Sequence, residues 1–232
     1  MNLIQSKLAF FLIIISTQAF GQLNLAKQHS GVSIKDTTLL NQPLVDGTLH
    51  TWSKKSSTTH SFLFSKTWLT GDVKFKGEWY LNQKIIYDIY EHLVLIGVNY
   101  NGSYVPHLIN QNYISEFIIN GKRFIKSPEK ELPLYKGYME VVASHPDFIS
   151  YIFHNKTADL DYGNFIFKTS NKYFLFKDGK YHAIKFKFQL TKLFKEHKQA
   201  INQYCRDNSY KLGNGNDFEF LMITNHIKSL MQ

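Results

Sequence analysis

The stretch KIIYDIYEHLVLI, residues 84–96, places two acids and a histidine between two apolar runs. Asp88, Glu91 and His92 are residue types that can bind a metal ion or transfer a proton when they converge. The flanking runs have the alternating pattern of β-strands, and polar residues are typical of the turn that joins two strands. The sequence points to no further ligand elsewhere. The pattern therefore favours a hairpin turn, and a functional polar cluster of Asp88, Glu91 and His92 is the alternative.

A second acidic stretch, ADLDYGN at residues 158–164, has the spacing that begins some calcium-binding loops. However, Gly163 and Asn164 stand in the reverse of the order that such a loop requires, and Ser170 replaces its closing glutamate. We therefore expect a turn here as well. The ten histidines show no metal-ligand spacing, and no nucleophile elbow is present. The sequence thus predicts no catalytic residue, metal site or cofactor.

The stretch NKYFLFKDGKYHAIKFKF, residues 171–188, contains the best candidate for a binding surface. Asp178-Gly179 is a strong signal for a two-residue hairpin turn, which pairs Lys177 with Lys180. One face of this hairpin is predicted to join the core through Tyr173, Leu175, His182, Ile184, Phe186 and Phe188. The other face carries Phe174, Phe176, Tyr181, Ala183, Lys185 and Lys187.

On that second face, the rings of Phe174, Phe176 and Tyr181 can stack on sugar rings or acyl chains. Lys185 and Lys187 can bind an anion. These five residues are the candidate binding surface. The favoured interpretation is that a C-terminal helix covers the aromatic side chains while the lysines extend past it into solvent, and an open binding surface is the alternative.

The elements that carry these residues follow from hydrophobic periodicity. Short runs of β-branched and aromatic residues, separated by Gly, Asn, Asp and Pro, extend from about residue 46 to about residue 188. The predicted strands are residues 60–65, 71–75, 79–88, 92–98, 114–119, 123–126, 138–143, 148–154, 164–168, 172–177 and 181–188. The sequence predicts an α+β fold: a curved antiparallel sheet, as a sandwich or a partly open barrel, followed by two C-terminal amphipathic helices at about 190–232.

The two predicted helices have recognisable starts. Thr191 is a plausible N-cap for the first, and Asn216 or Asp217 can cap the second. Leu193, Phe194, His197, Ile201, Tyr204 and Cys205 fall on one stripe of the first helix. Cys205 is the only cysteine, so no intramolecular disulfide can form, and its place on this stripe predicts that it is buried.

The N-terminal residues have the pattern of a secretory signal peptide. Lys7 precedes an apolar run of eight residues, and Ala19-Phe20-Gly21 places small residues where a signal peptidase cleaves. The run is too short to span a bilayer, which requires about 20 apolar residues. We expect a signal peptide at 1–21, a lead-in segment at 22–45, and one β-rich domain at 46–232 without a transmembrane segment. The protein would be periplasmic, associated with the outer membrane, or secreted.

The charge of the chain bears on its partners. Its formal net charge is +9, and only Arg123 and Arg206 among its 27 basic residues are arginines. Arginine is the residue best suited to bidentate contacts with phosphates and bases. The scarcity of arginine and the predicted export argue against nucleic acid. An excess of lysine favours an anionic glycan or an envelope protein as the partner.

Three segments resemble a loose family of exported proteins of unknown function from Gram-negative bacteria. The first is WLTGDVKFKGEWYLNQKIIYDIYEHLVLI, residues 68–96, and the second is ISEFIINGKRF, residues 114–124. The third is KYFLFKDGKYHAIKF, residues 172–186, followed by LTKLFKEHKQAINQYCRDN, residues 190–208. The resemblance implies export and an unassigned role, and it marks no catalytic residue.

These observations favour a non-enzymatic envelope or secreted protein that binds a protein or glycan partner. A carrier of a lipid or other apolar ligand in a cupped β-sheet is one alternative, which the aromatic content of 16% favours. A second alternative is an enzyme that acts on cell-wall or polysaccharide material through residues that meet only in the fold.

Overall fold

The computed structural model describes residues 44, 47–54, 56–213 and 216–232. The predicted signal peptide, and all of the predicted lead-in segment except Leu44, lie outside these residues. The described strands are β1 (Thr48–Leu49), β2 (Leu69–Phe75), β3 (Glu78–Asp88), β4 (Leu93–Tyr100), β5 (Ser103–Leu108), β6 (Ile114–Ile119), β7 (Lys122–Lys126), β8 (Tyr138–His145), β9 (Phe148–Phe153), β10 (Lys156–Asp161), β11 (Asn164–Thr169), β12 (Lys172–Lys177) and β13 (Lys180–Ile184). The described helices are α1 (Lys187–Leu193), α2 (Lys198–Asp207) and α3 (Asp217–Leu230), with a short 3₁₀ helix at Gln111–Tyr113.

Eleven strands form one sheet in the order β1-β5-β4-β3-β2-β6-β7-β8-β9-β12-β13, and β10 and β11 pair separately as a hairpin. Each of these neighbouring pairs is antiparallel. The sheet ends at β1 and β13, so it is not closed. The α-helices follow the last strand, which confirms the predicted α+β fold.

Short turns set the register of this sheet. Asp178 and Gly179 both have positive φ, as a type I′ turn requires, and Lys177 pairs with Lys180 as predicted. Tyr162 and Gly163 form the same kind of turn between β10 and β11. The turn predicted in ADLDYGN is therefore confirmed at Tyr162-Gly163, whereas its first four residues belong to β10.

Three apolar clusters stabilise the two faces of the sheet. The N-terminal core lies on β2–β7 and the start of β8, and it includes Val73, Tyr87, Phe117, Phe124 and Tyr138. The helix-covered core joins β8, β9, β12 and β13 to the helices through Ile152, Tyr173, Ile184, Phe194, Ile201, Cys205, Phe220 and Ile227. The third core lies on the opposite side of β8, β9 and β12 and includes Leu132, Met139, Tyr151, Phe153 and Phe174. Cys205 is therefore buried, as predicted.

The C-terminal part differs from the predicted pattern at α1. Strand β13 ends at Ile184, and α1 begins at Lys187, before the predicted N-cap Thr191. Phe186 and Phe188 are 50% and 62% exposed, so the prediction that they join the core is wrong. The reason is that β13 ends at Ile184, four residues before the predicted end at residue 188.

The rest of the helical region follows the predicted pattern more closely. The predicted first helix is divided into α1 and α2 at Phe194–His197. The side chain of Asn216 accepts a hydrogen bond from the N–H of Glu219, which confirms the predicted cap of α3. None of the described helices has the length and hydropathy needed to cross a bilayer.

Candidate functional site

Asp88 is the last residue of β3, and residues 89–92 form the turn to β4, as the sequence favoured. It pairs with Leu93 at the end of the hairpin and is fully buried. Its Oδ1 accepts hydrogen bonds of 2.9 Å from the N–H groups of Tyr90 and Glu91, and its Oδ2 accepts one of 2.5 Å from Ser61 Oγ. The carboxylate therefore shapes the turn and holds the preceding segment beside it.

Glu91 and His92 have side-chain partners that differ from those of Asp88. Glu91 accepts a hydrogen bond of 2.7 Å from Ser53 Oγ and lies 3.6 Å from His50 Nε2. His92 packs on the ring of Phe153 and makes a 3.1 Å hydrogen bond through Nε2 to Asn155 Oδ1. Asp88, Glu91 and His92 therefore contact different partners.

The aromatic part of the predicted binding surface is mostly covered. Phe174 is 2% exposed and belongs to the third core, where its ring centroid lies 4.8 Å from that of Tyr135. Phe176 and Tyr181 are half-buried and pack against the same core. The cover comes from the segment between β7 and β8. The favoured prediction of a helical cover is wrong, because the helices pack on the opposite face of β12 and β13.

A buried carboxylate separates the two cores that share one face of the sheet. The strand registers place Phe124, Glu140, Ile152 and Tyr173 in a single row across β7, β8, β9 and β12. Directly paired residues point to the same side of a sheet. Phe124 belongs to the N-terminal core, whereas Ile152 and Tyr173 belong to the helix-covered core. Glu140, which is 5% exposed, therefore lies at the boundary between them.

Two basic side chains hold Glu140. Lys122 Nζ donates to Oε1 at 2.7 Å, and His154 Nε2 lies 2.6 Å from Oε2. Burial by itself raises the pKa of Glu140, but the hydrogen bonds and charges of His154 and Lys122 outweigh it and lower the pKa below its usual value. The carboxylate is therefore ionised at neutral pH.

The hydrogen bonds continue from His154 to helix α3. Asn171 Nδ2 lies 3.2 Å from His154 Nδ1, and it donates to both carboxylate oxygens of Asp217 at 3.0 and 2.8 Å. Tyr173 donates its hydroxyl to Asp217 Oδ1 at 2.7 Å, and burial together with this carboxylate raises the pKa of Tyr173. We call the connected set Lys122, Glu140, His154, Asn171, Tyr173 and Asp217 the polar seam.

A pocket of about 400 Å³ opens beside the polar seam. Asn171 and Tyr173 belong to both. The lining residues are Tyr135, Thr169, Ser170, Asn171, Lys172, Tyr173, Phe174, Ala183, Ile184, Lys185 and Phe186. Lys172 and Lys185 are exposed, and the half-exposed ring of Phe186 stacks on Phe188 at a centroid distance of 6.0 Å. We call this site the lysine-rimmed pocket.

The pocket includes part of the predicted aromatic and lysine surface but none of Asp88, Glu91 and His92. Phe174 and Lys185 line it, whereas Phe176, Tyr181 and Lys187 are not among its lining residues, and Lys187 is the first residue of α1. His92 reaches the pocket wall indirectly. Its partner Asn155 donates from Nδ2 to Ser170 Oγ at 2.6 Å. Asn171 and His154 were not predicted as site residues. Their one signal in the sequence is a polar residue next to a strongly apolar run.

Glu140, Asp217 and His154 each have hydrogen-bond partners within the polar seam. Across the described ranges, no group of three or more His, Cys, Asp or Glu side chains is arranged to hold a metal ion. The pocket therefore combines polar lining residues with two exposed lysines, Lys172 and Lys185, and the half-exposed ring of Phe186.

Searches of known proteins assign no relative to this arrangement: no family model, curated protein or solved structure matches the chain.

Proposed function

We propose that this chain is an exported, non-enzymatic protein that binds an anionic glycan in the lysine-rimmed pocket. One observation carries the proposal. The exposed side chains of Lys172 and Lys185 line the same pocket as the half-exposed ring of Phe186. Export rests on the signal-peptide pattern of residues 1–21.

The lining suits an acidic sugar in three respects. The hydroxyl groups of Thr169 and Ser170, which line the pocket, can exchange hydrogen bonds with the hydroxyl groups of a sugar. The ring of Phe186 offers an apolar surface against which the C–H face of a sugar ring can pack. Lys172 and Lys185 supply positive charge for a carboxylate or sulfate. The volume of about 400 Å³ is near the lower end of ligand pockets, which favours one or two sugar units.

The carrier and enzyme alternatives have less support. The rings of Tyr87, Phe117, Phe124 and Tyr138 pack against one another with centroid distances between 4.8 and 5.8 Å. These aromatic residues therefore fill the N-terminal core. Asp88 and Glu91 hold the turn and the segment before it, as described above, which leaves less reason to assign them acid–base chemistry.

The test is isothermal titration calorimetry of the purified chain with a sulfated disaccharide and its unsulfated counterpart. We expect the sulfated sugar alone to bind, and Lys185→Glu to weaken binding by roughly tenfold, because a charge-assisted contact becomes a repulsion. Lys180→Glu is the matched control. Lys180 is also exposed on β13 and undergoes the same charge change, but it pairs with Lys177 at the turn.

Two results would contradict the proposal. The first is equal binding of the sulfated and unsulfated sugars, or binding of neither. The second is an equal loss in Lys180→Glu and Lys185→Glu, because the effect would then reflect the net charge of the chain and not the pocket.

A further inference from the structure

Two phenylalanine side chains are exposed at the junction of strand β13 and helix α1. Phe186 and Phe188 are 50% and 62% exposed, and their rings stack with an interplanar angle of 14°. Phe186 lines the lysine-rimmed pocket, whereas Phe188 is not among its lining residues. Because the two rings stack, the aromatic surface at the opening continues past the pocket itself.

The core at this junction is built without these two rings. Ile184 and Leu190 are fully buried in the helix-covered core, on either side of Phe186 and Phe188 in the chain. Single exposed apolar residues are common on protein surfaces and need no explanation. Adjacent exposed rings with charged residues beside them are instead typical of an interaction site.

The backbone that carries the rings is held by Gln189. Its Oε1 accepts hydrogen bonds from the N–H groups of Lys185 and Phe186, at 2.7 and 2.9 Å. Its Nε2 donates to the carbonyl oxygen of Ala183 at 3.1 Å. A surface that is ordered before a ligand arrives loses less conformational entropy on binding. The junction is therefore suited to present the rings to a ligand.

A lysine accompanies each ring. Lys185 directly precedes Phe186, and both line the pocket. Lys192 follows Phe188 by four residues, and both belong to α1, in which residues four apart lie on the same face. Lys192 is exposed, as Phe188 is. One face of α1 therefore carries an exposed ring and an exposed ammonium group.

We propose that Phe188 and Lys192 form an outer subsite for a second acidic sugar, an inference that rests on the proposed function of the pocket. The pocket combines Phe186 with Lys185, and the outer subsite repeats this combination of ring and cation. A sugar ring packs its C–H face on Phe188 while Lys192 binds its sulfate or carboxylate. The ligand is therefore a chain of acidic sugars with repeated charges, longer than the one or two units that fill the pocket.

The first test compares two ligands by calorimetry: the sulfated disaccharide, and a tetrasaccharide of two such units. We expect the tetrasaccharide to bind the wild-type chain roughly tenfold more tightly, because it adds a ring contact and a charged contact. Phe188→Ala should remove most of this gain and leave the disaccharide affinity unchanged. Phe188→Tyr keeps an aromatic ring and should retain the gain. Phe188 is exposed, so both variants should fold.

The matched control is Tyr100→Ala. Tyr100 is an aromatic residue of β4 with a similar exposed fraction, 68%, and it is not among the residues that line the pocket. Its removal should change neither affinity. An equal loss of tetrasaccharide affinity in Tyr100→Ala and Phe188→Ala would overturn the outer subsite.

The second test reverses the charge of the outer subsite. Lys192→Glu should weaken tetrasaccharide binding roughly tenfold, because a charged contact becomes a repulsion, and should affect the disaccharide much less. Lys180→Glu makes the same charge change on β13 and should affect both sugars little. Equal losses in the two variants overturn the role of Lys192, because the net charge of the chain then explains them.

The outcomes separate the two proposals. If the disaccharide binds and the tetrasaccharide binds no more tightly, the proposed function stands and the outer subsite is overturned. The outer subsite is also overturned if Phe188→Ala weakens both sugars equally. If the tetrasaccharide alone binds and Phe188→Ala abolishes its binding, the outer subsite stands and the pocket does not bind sugar by itself. If neither sugar binds, both proposals fail.

Discussion

The N-terminal core and the helix-covered core lie on the same face of one sheet, yet they are held together differently. The N-terminal core is built from aromatic rings that touch one another, such as Tyr87, Phe117 and Phe124. The helix-covered core depends on helices that follow the sheet in the chain, and the polar seam connects α3 to the strands. Apolar packing is insensitive to pH, whereas a buried carboxylate is not. We therefore expect acid to weaken the contacts of Glu140 in the polar seam before it changes the ring contacts of the N-terminal core.

The largest effect is expected in the N-terminal core. Phe117 is fully buried and contacts Tyr87, Phe124 and Tyr138. Phe117→Ala should lower the free energy of unfolding by about 4 kcal/mol, because it leaves a cavity in a packed core. Urea denaturation at about pH 7 and about pH 5 should give the same loss, since no charge is involved. A loss that changes strongly with pH would break the proposed distinction between the halves.

The next largest effect is expected at the polar seam. Glu140→Ala should cost about 3 kcal/mol at neutral pH, because it leaves His154 without its buried partner. Glu116→Ala is the matched control: Glu116 pairs with the exposed Arg123 on the neighbouring strand, and its removal should cost less than about 1 kcal/mol. If the two variants lose the same free energy of unfolding in urea denaturation, the burial of Glu140 does not increase the cost of its removal.

Acid should affect the wild-type chain through the same carboxylate. The folded-state pKa of Glu140 lies below its usual value of 4.5. The stabilisation is therefore fully present above that value and is lost as the pH falls through the lower, folded-state pKa. We expect the free energy of unfolding to decrease below about pH 4.5 and to decrease less steeply in Glu140→Gln. Parallel pH profiles for the two proteins would contradict this assignment.

The smallest effect is expected at the start of α3. Asn216 accepts a hydrogen bond from the N–H of Glu219, so Asn216→Ala should cost about 1 kcal/mol in urea denaturation. It should also weaken the helix-covered core specifically, because Asp217 is the next residue. Hydrogen exchange should increase in α3 and leave the amides of β2–β4 unchanged. An equal increase in both halves would show that the two cores unfold as one unit.

Local pattern was sufficient to predict much of the fold. Residues 114–119 and 172–177 were predicted as strands and form β6 and β12 with the same bounds. Strand β5 was missed because Pro106 interrupts its pattern, although Asn101-Gly102 is a turn signal. Strand β10 was missed because its side chains are mostly exposed and show no buried alternation.

The candidate site could be predicted only in part. Lys185 and Phe174 were identified because hairpin register is a local property. The polar seam was not, because Glu140, His154, Asn171 and Asp217 come from separate parts of the chain: strand β8, the loop residues that follow β9 and precede β12, and helix α3. Their partnership exists only once β7, β8, β9 and β12 are aligned and α3 has packed against them. No spacing in the sequence encodes such a contact.

The place of Asp217 at the start of α3 has a consequence for the order in which the molecule is completed. A ribosome makes Glu140 and His154 long before it makes Asp217, and the sheet around them can pair while the last helix is still missing. Until then the Tyr173 hydroxyl and the Asn171 amide lack the carboxylate that accepts their hydrogen bonds. The helix-covered core also lacks the side chains of α3. The chain therefore has a late closing step, and an interrupted chain that lacks α3 exposes apolar surface that proteases and chaperones recognise.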